Sequence, residues 1–445
     1  MSGAHERAVP AAVPGPRGLE HARIMNLAAG DTRAAIDALR ERYGDAFVFG
    51  FGPIRFHWLV GAAANRFVLH DAADAFRNRS AYRFLEPIGG PTALIVSDEP
   101  EHLRRRRRVQ PAFHRAHHEA WTNLALTAFE AWADEAIARG TLALQPHLRP
   151  AVLRIVLDVL MGPGTSTRHP RLEADLATMM AFANQPFLAQ LFRVRVPGTP
   201  WARFVSARAR VDAALHDEIR RRRERGVADD AHDVLSVLLR SDPDATLSPS
   251  ELRDQTVSLV SAGFDTTTAA LTWTAWLLHD EGLHERLASA VEGLDPAAAA
   301  ALPEVDATWR EALRLYPPAP AILRVAAATT VWGDLELPAG ALVGLSTYHT
   351  HRDEGSWRAA TEVRLERWLE RDGPWAAPRD PFAYLPFGHG ARYCIGAGLS
   401  RTLAGAWLAV MLPRARWRAL APERVRPVGT TLSPRGGLLL RLEPR

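Results

Sequence analysis

The stretch that decides the fold reads Phe387-Gly-His-Gly-Ala-Arg-Tyr-Cys-Ile-Gly396 and contains Cys394, the only cysteine among 445 residues. Two glycines ahead of the cysteine and one behind it allow the backbone to turn sharply and to approach a flat partner closely. A helix is expected to start near Gly398, so its N-terminal dipole favours a negative sulfur. Arg392 adds a nearby cation. We therefore predict a thiolate at Cys394, the form of sulfur that ligates metals.

A lone cysteine has two other interpretations. Free cysteines are often buried small apolar side chains, and a cysteine with a distant histidine can form a hydrolase site. The chain has 17 histidines, so a partner for such a site would be found by chance. One cysteine excludes a disulfide within the chain and a multi-cysteine zinc site.

The cysteine loop resembles the signature of the cytochrome P450 family, in which a cysteine thiolate ligates a haem iron. The fixed positions of that signature are filled by Phe387, Gly390, Arg392, Cys394 and Gly396. Ala391 stands where many relatives carry proline. The resemblance implies that Cys394 is the metal ligand of heme b (iron protoporphyrin IX) and that the other four residues also bind this cofactor.

A long helix is predicted to start at Ser248. Ser248 suits the N-cap, Pro249 suits the first helical position, and Glu251 completes a capping box. The apolar pattern then continues to about Asp280. At 1.5 Å per residue the helix would be roughly 48 Å long, which is enough to cross a domain.

The middle of this helix carries Ala262-Gly-Phe-Asp-Thr-Thr-Thr268, in which glycine and threonine are poor helix formers. The segment could be an irregular packed turn, or a groove that offers an acid and a hydroxyl. It resembles the family's oxygen-activation motif. That resemblance implies that Asp265 and Thr266 form a catalytic proton relay, and that Ala262 and Gly263 contact the cofactor.

Glu311 and Arg314 lie three residues apart on one predicted helix face, an arrangement that surface helices also show very often. In this position the pair resembles the family's buried Glu-x-x-Arg motif. The resemblance implies a structural role for the pair and for a later arginine, matched by Arg367. Leu365 and Trp368 replace the Pro and Phe that usually flank this arginine.

His102 precedes a run of five arginines, 104–108. Five consecutive residues spread around a helix and form no single flat patch for nucleic acid. By resemblance, His102, Arg106 and Arg324 bind the haem propionates. The other arginines would face solvent, where a basic patch could steer an acidic electron donor.

The helical patterns predict a mainly α fold with a minor β region. The predicted helices cover about 31–43, 102–113, 119–137, 151–160, 172–182, 200–225, 234–239, 248–280, 305–315 and 398–412. A hairpin is predicted at 46–60, and a strand, turn and strand at 329–343 with the turn at 338–340. The resemblance implies a single triangular haem domain over 21–445 with a long central helix, preceded by a flexible lead-in of residues 1–20.

Composition adds few restrictions. The apolar share of 47% and the charged share of 23% are ordinary for a globular protein, and the net charge of +4 says little about nucleic acid. We find no apolar segment long enough to cross a bilayer and no signal-peptide pattern. We therefore expect a cytoplasmic protein, monomeric, with no membrane or nucleic-acid partner.

The family resemblance implies a monooxygenase that inserts one oxygen atom from O2 into a small organic substrate. Electrons would come from a separate ferredoxin or flavodoxin with its reductase. Substrate contacts are expected from 79–94, 179–196, the long helix, 319–323 and 429–434. A desaturase, an oxidative coupling enzyme and a non-catalytic haem sensor remain alternatives.

Overall fold

The computed structural model describes residues 10–51, 54–183, 193–228, 231–240, 247–429 and 431–445. These residues are mainly helical with a minor share of strand, as predicted. Their contacts divide the chain into two compact units. The first unit contains the described residues up to 83 together with 319–362 and 377–393, and the second contains the described residues of 84–318, 363–376 and 394–445. One domain over 21–445 stays a prediction.

The first unit is built around a five-stranded sheet in the order β2-β3-β9-β6-β4. Its strands are β1 Ala11–Ala12, β2 Ala46–Phe51, β3 Ile54–Leu59, β4 Phe76–Arg77, β6 Ala321–Ala326, β7 Thr330–Trp332, β8 Leu335–Leu337 and β9 Leu342–Ser346. Its helices are α1 Gly18–Gly30, α2 Thr32–Tyr43, α3 Ala62–Arg66, α4 Arg79–Tyr82 and α17 Thr347–Thr350. The sheet covers a core that includes Leu59, Val343 and Leu345.

The second unit is mostly helical, and it contains the long helix predicted to start at Ser248. They are α5 Glu86–Gly89, α6 Glu101–Val109, α7 His118–Arg139, α8 Leu144–Met161, α9 Thr165–Arg168, α10 Leu172–Ala183, α11 Pro200–Arg225, α12 Val234–Arg240, α13 Pro249–Leu277, α14 Glu281–Val291, α15 Pro296–Ala300, α16 Pro303–Leu315, α18 Glu366–Leu369 and α19 Ala397–Met411. Its strands are β5 Thr141–Ala143, β10 Ala415–Ala419, β11 Pro427–Val428, β12 Ser433–Pro434 and β13 Leu439–Pro444.

The long helix α13 forms the centre of the second unit. Ser248 caps it, and the capping box with Glu251 is present. Most of its side chains are buried all round, as expected of a helix inside a core. It ends at Leu277 rather than near Asp280, because the Asp280 side chain accepts a hydrogen bond from the backbone N–H of Leu283 and so caps α14.

Other parts of the chain also differ from the sequence-based expectations. Within the predicted lead-in, residues 1–9 lie outside the described residues, but Ala11–Ala12 pair in parallel with β8 and α1 already begins at Gly18. The β7–β8 hairpin turns at residues 333–334, while Pro338–Gly340 connect β8 to β9. Strand β6 was not predicted at all.

Within the described parts of the chain, none of the helices is both long and apolar enough to span a bilayer.

Candidate active site

The loop ahead of the cysteine belongs to the first unit and turns as its glycines suggest. Gly388 and Gly390 adopt φ values of +71° and +65°, a region that side chains with a Cβ avoid. A 3₁₀ turn then covers Gly390–Arg392. The Phe387 ring lies 6.2 Å from the Tyr393 ring. The two glycines therefore set the path of the chain into Cys394.

Cys394 is a free thiol at the start of the last segment of the second unit. Its side chain is exposed, yet the surrounding protein atoms desolvate it, and this raises the pKa of the thiol. The backbone N–H of Gly396 and the charge of Arg106 both lower the same pKa, but they act against a larger desolvation effect.

The sequence-based prediction of a thiolate at Cys394 concerns the metal-bound sulfur, because the thiolate is the form that ligates metals. The protein groups alone leave the pKa of Cys394 above its ordinary value. The positive charge of a coordinated metal is what deprotonates a ligating thiol outright. Within the described residues, no cluster of three or more His, Cys, Asp or Glu side chains is arranged to hold a metal ion.

His102 and Arg106 lie one turn apart on α6, in the same unit as Cys394. His102 is buried, and its Nδ1 is 3.1 Å from Glu99 Oε1. Arg106 is near enough to Cys394 to lower the pKa of the thiol. The charge of Arg106 is therefore felt at the thiol, and the shared cofactor site stays a prediction.

Arg324, the third predicted propionate-binding residue, lies on β6 in the first unit. Its side chain is 9% exposed. Nη1 donates to Asn78 Oδ1 at 2.9 Å and to the carbonyl of Leu323 at 2.8 Å. These contacts fix the guanidinium in one orientation, and Asn78 was not anticipated from sequence.

The other arginines of the 104–108 run are only partly solvent-facing, contrary to expectation. Arg104 donates to Glu101 at 2.9 Å and to Glu251 at 2.8 Å. Arg105 is largely buried and donates to Ser97 Oγ at 2.8 Å. Arg107 is the exposed member of the run.

Helix α13 is continuous through residues 262–268, so the irregular turn is not observed. Thr266 Oγ1 donates to the carbonyl of Ala262 at 2.7 Å, which explains how a threonine is accommodated inside a helix. Gly263 lies against Val156. Ala262 is exposed and Thr266 half-buried, so the helix keeps a hydroxyl near an accessible surface.

Asp265 is buried and is held by a residue that the sequence did not reveal. Arg149 on α8 donates through Nε to Oδ1 at 2.7 Å and through Nη2 to Oδ2 at 3.2 Å. The guanidinium also lies 5.2 Å from the Phe264 ring. Arg149 stands among ordinary helix residues 116 positions earlier, so no local pattern pointed to it.

Glu311 and Arg314 form a fully buried ion pair, with each side chain 0% exposed. Arg314 donates through Nε at 2.8 Å and through Nη2 at 2.7 Å. Arg367 Nε lies 3.4 Å from Oε1 of the same carboxylate. The three residues that the sequence grouped together are therefore in contact.

Two further donors complete the Glu311 cluster, which we define as Glu311, Arg314, Arg364, Arg367 and Trp368. Trp368 Nε1 donates to Oε2 at 3.0 Å. The backbone N–H of Arg364 donates to Oε1 at 2.9 Å. Trp368 stands where the family pattern usually has Phe. Because Phe has no hydrogen-bond donor, the tryptophan adds a hydrogen bond to the Glu311 carboxylate.

The donor set fits a thiolate-ligated haem. The chain offers one thiol, and it is accessible. Arg106, His102 and Arg324 provide cationic or hydrogen-bonding groups of the kind that carboxylates such as propionates need. Of the predicted substrate regions, residues 184–192 and 430 lie outside the described residues.

Comparison with known proteins agrees with this geometry. The family model for cytochrome P450 matches residues 14–440. The putative cytochrome P450 139 of Mycobacterium tuberculosis is 32% identical over 425 residues, which are 92% of this chain and 97% of that protein. Cyclooctatin synthase of Streptomyces melanosporofaciens is 30% identical over 379 residues, 81% and 80% of the two chains.

A solved structure has the same fold. Cyanobacterial CYP120A1 with retinoic acid bound superposes with a TM-score of 0.83 at 24% identity and covers 98% of this chain and 100% of that one. With the family shown, the readings of Cys394 as a structural thiol or a hydrolase nucleophile are set aside. Haem, O2 and an external electron donor follow from the family. The chain belongs to the cytochrome P450 family and is a P450 monooxygenase.

Proposed function

We propose that this protein inserts one oxygen atom from O2 into a small, apolar, natural-product-like substrate, and that the Cys394 thiolate would ligate the iron of heme b. The observation that carries this proposal is an accessible single thiol inside a complete ten-residue signature. One relative is named as the synthase of a bacterial product, cyclooctatin, which supports a biosynthetic role. Bound haem supplies O2 binding and the oxidation chemistry.

Several side chains would hold the haem in place. His102, Arg106 and Arg324 would bind its propionates through charge-assisted hydrogen bonds. Phe387, Gly390, Arg392 and Gly396 would shape the loop around the thiolate, and Ala262 and Gly263 would contact the haem. The Glu311 cluster, with Glu311, Arg314 and Arg367 at its centre, would have a structural role.

Asp265 and Thr266 would move protons. Both Asp265 oxygens accept hydrogen bonds from Arg149, so the carboxylate has to leave Arg149 before it can accept a proton and pass it on. Arg149 is 31% exposed, and a guanidinium at the surface can exchange its partner for water. Thr266 Oγ1 would then rotate away from the Ala262 carbonyl, accept the proton from Asp265 and donate its own proton, so that the hydroxyl stays neutral.

A ferredoxin or flavodoxin with its reductase would supply the electrons. A groove on α6 and the following turn is lined by Pro100, Leu103, Arg104, Arg107, Arg108 and Pro111. Arginines along a groove steer acidic partners. We further propose that the protein acts as a cytoplasmic monomer and does not bind nucleic acid.

The spectrum of the reduced, carbon monoxide-bound protein tests the ligand. A thiolate-bound haem gives a strongly red-shifted Soret band. We expect this band in the purified protein supplied with haemin and its loss in Cys394→Ala. A colourless protein, or an unchanged spectrum in Cys394→Ala, would overturn the proposal.

Isotope labelling tests the reaction type. Ligands that displace water from the ferric iron would first be found by a spectral screen. With one of these as substrate, a reconstituted donor and ¹⁸O2, we expect one labelled oxygen atom in the product. A product without label would indicate desaturation or coupling, and no product with any bound ligand would indicate a sensor.

A further inference from the structure

Asp254 and Gln255 of α13 form hydrogen bonds with one residue, Thr92, of the segment that precedes α6. Asp254 Oδ2 accepts hydrogen bonds from the backbone N–H of Thr92 at 3.0 Å and from Thr92 Oγ1 at 2.8 Å. Gln255 Nε2 donates to the carbonyl of Thr92 at 2.7 Å. The N–H, hydroxyl and C=O of one residue are therefore all bound by adjacent side chains. We call this set, Thr92, Asp254 and Gln255, the Thr92 clasp.

The clasp is buried and carries charge. Asp254 and Gln255 are 4% and 1% exposed. A buried carboxylate is costly unless it is paired and hydrogen-bonded, and Arg253 Nη1 donates to Asp254 Oδ1 at 3.0 Å. Arg253 also donates through Nε to Asp212 on α11 at 2.6 Å. A continuous polar chain thus runs from α11 through α13 to Thr92.

The glycines before Thr92 allow the close approach that the clasp requires. Gly90 has a φ of +90°, and a Cβ there would collide with the Asp254 carboxylate. A Cβ at Gly89 would come within 3.2 Å of the Ser258 Cβ, one turn along α13. The Gly89-Gly90 pair therefore lets the backbone lie directly on the helix.

Ser97 holds the far end of the segment and also donates to the Thr92 carbonyl at 3.4 Å. Ser97 Oγ donates to the carbonyl of Ala93 at 2.8 Å and accepts from Arg105 on α6. Ala93 and Val96 are fully buried, whereas Ile95 is 39% exposed. The Thr92 clasp thus holds the N-terminal half of the segment by hydrogen bonds.

We propose that Asp254 is a positioning residue that holds segment 89–96 against α13 and so sets the size of the substrate pocket. The inference rests on the proposed function and on the sequence-based expectation that residues 79–94 contact substrate. Asp254 acts through Thr92 and does not touch the substrate. The chain through Arg253 couples the same segment to α11.

Amide hydrogen exchange tests the clasp without reference to activity. The holoprotein would be compared with Asp254→Ala, Thr92→Val and the matched control Thr92→Ser. Thr92→Val removes only the hydroxyl, and Thr92→Ser retains it. Asp254→Ala removes both hydrogen bonds to the carboxylate and Thr92→Val removes one of them, so we expect exchange in 89–96 to rise about tenfold in Asp254→Ala and about threefold in Thr92→Val. Thr92→Ser should match wild type.

Azole binding tests the consequence for the pocket. The probes are imidazole, which is small, and 4-phenylimidazole, which fills more of a pocket. We expect the ratio of their dissociation constants to change about tenfold in Asp254→Ala and about threefold in Thr92→Val, with no change in Thr92→Ser.

The outcomes separate the proposal from the proposed function. Unchanged exchange in Asp254→Ala, or faster exchange with an unchanged azole ratio, would overturn the positioning role. If Asp254→Ala does not fold, the exchange rates and azole ratios of Thr92→Val and Thr92→Ser are compared instead, and equal values in the two variants would overturn the positioning role. If wild type binds neither azole at its haem, the proposed function fails, while the exchange rates still show whether the clasp holds the segment.

Discussion

Two carboxylates of the second unit, Glu311 and Asp265, each bind arginine but in different surroundings. Glu311 and Arg314 are both 0% exposed, and the carboxylate accepts from two arginines, an indole and a backbone N–H. Asp265 accepts from Arg149, whose side chain is 31% exposed. The first carboxylate has no route to water, whereas the second can lose its partner to solvent.

This difference separates a structural carboxylate from one that can take part in chemistry. A buried charge with several donors is costly to disturb, because each broken contact leaves a desolvated group unpaired. An ion pair at the edge of the solvent has a small net free energy, so it can open without unfolding the protein. The contrast predicts opposite phenotypes when each carboxylate is removed.

The largest effect is expected from Glu311→Ala. This change leaves Arg314 and Arg367 buried without their shared anion. Removal of one partner of a buried ion pair costs about 3–5 kcal/mol, and we expect the free energy of unfolding to fall by that amount. Chemical denaturation followed by circular dichroism measures it. The control Arg286→Gln breaks an exposed pair with Glu366 and should cost less than about 1 kcal/mol. Equal losses in the two variants would contradict the comparison.

Asp265→Asn should have the reverse phenotype. The amide keeps the shape of the side chain but cannot accept and release a proton as a carboxylate does. We expect product formation to fall by about a hundredfold, a typical effect of losing a general acid or base, while the free energy of unfolding falls by about 1–2 kcal/mol, less than in Glu311→Ala, because Arg149 stays in contact with water.

The matched control is Glu173→Gln. This change breaks an exposed ion pair in which Arg154 donates two hydrogen bonds to Glu173. Arg154 lies on α8, the helix that also carries Arg149. Product formation in this variant should equal that of wild type. Wild-type turnover in Asp265→Asn would remove Asp265 from the proton path.

Trp368→Phe sharpens the description of the Glu311 cluster. It keeps an aromatic ring and removes the indole donor to the carboxylate. We expect a loss of about 1.5–2 kcal/mol in the free energy of unfolding, the range for a hydrogen bond to a charged group. Trp276→Phe removes an indole that donates to the neutral hydroxyl of Tyr316 and should cost about 1 kcal/mol. The reverse order would show that the Trp368 indole is not needed by Glu311.

These residues also show what could be predicted from sequence. Glu311, Arg314 and Arg367 were grouped correctly, since a helix repeat and a family pattern mark them. Helix α13 was predicted from its capping box and apolar run, both local signals. The predicted end of α13 was less accurate, because Asp280 caps the following helix α14 instead of extending α13.

Contacts between distant segments could not be predicted. Arg149 lies 116 residues before Asp265 in the chain, and Asp254 lies 162 residues after Thr92. No local periodicity records such a pair. Strand β6 was missed for the same reason, because its main partner β9 and its other partner β4 are defined only by the fold.

The smallest effect concerns a third carboxylate, Asp158, which lies on α8 like Arg149. Among the described residues no arginine bonds it, and burial raises the pKa of Asp158 to about 6, although the charge of Arg154 lowers it. Since this pKa lies above the unfolded value, Asp158 favours folding below about pH 4, and that contribution is lost as the pH rises through 6. Asp158→Asn removes the titration. Because the side chain is half-buried, we expect the variant to gain no more than about 1 kcal/mol over wild type at pH 8 and nothing at pH 4. Chemical denaturation of both proteins at the two pH values measures the difference in the free energy of unfolding. A gain that is the same at both pH values would show that the charge of Asp158 does not destabilise the folded protein.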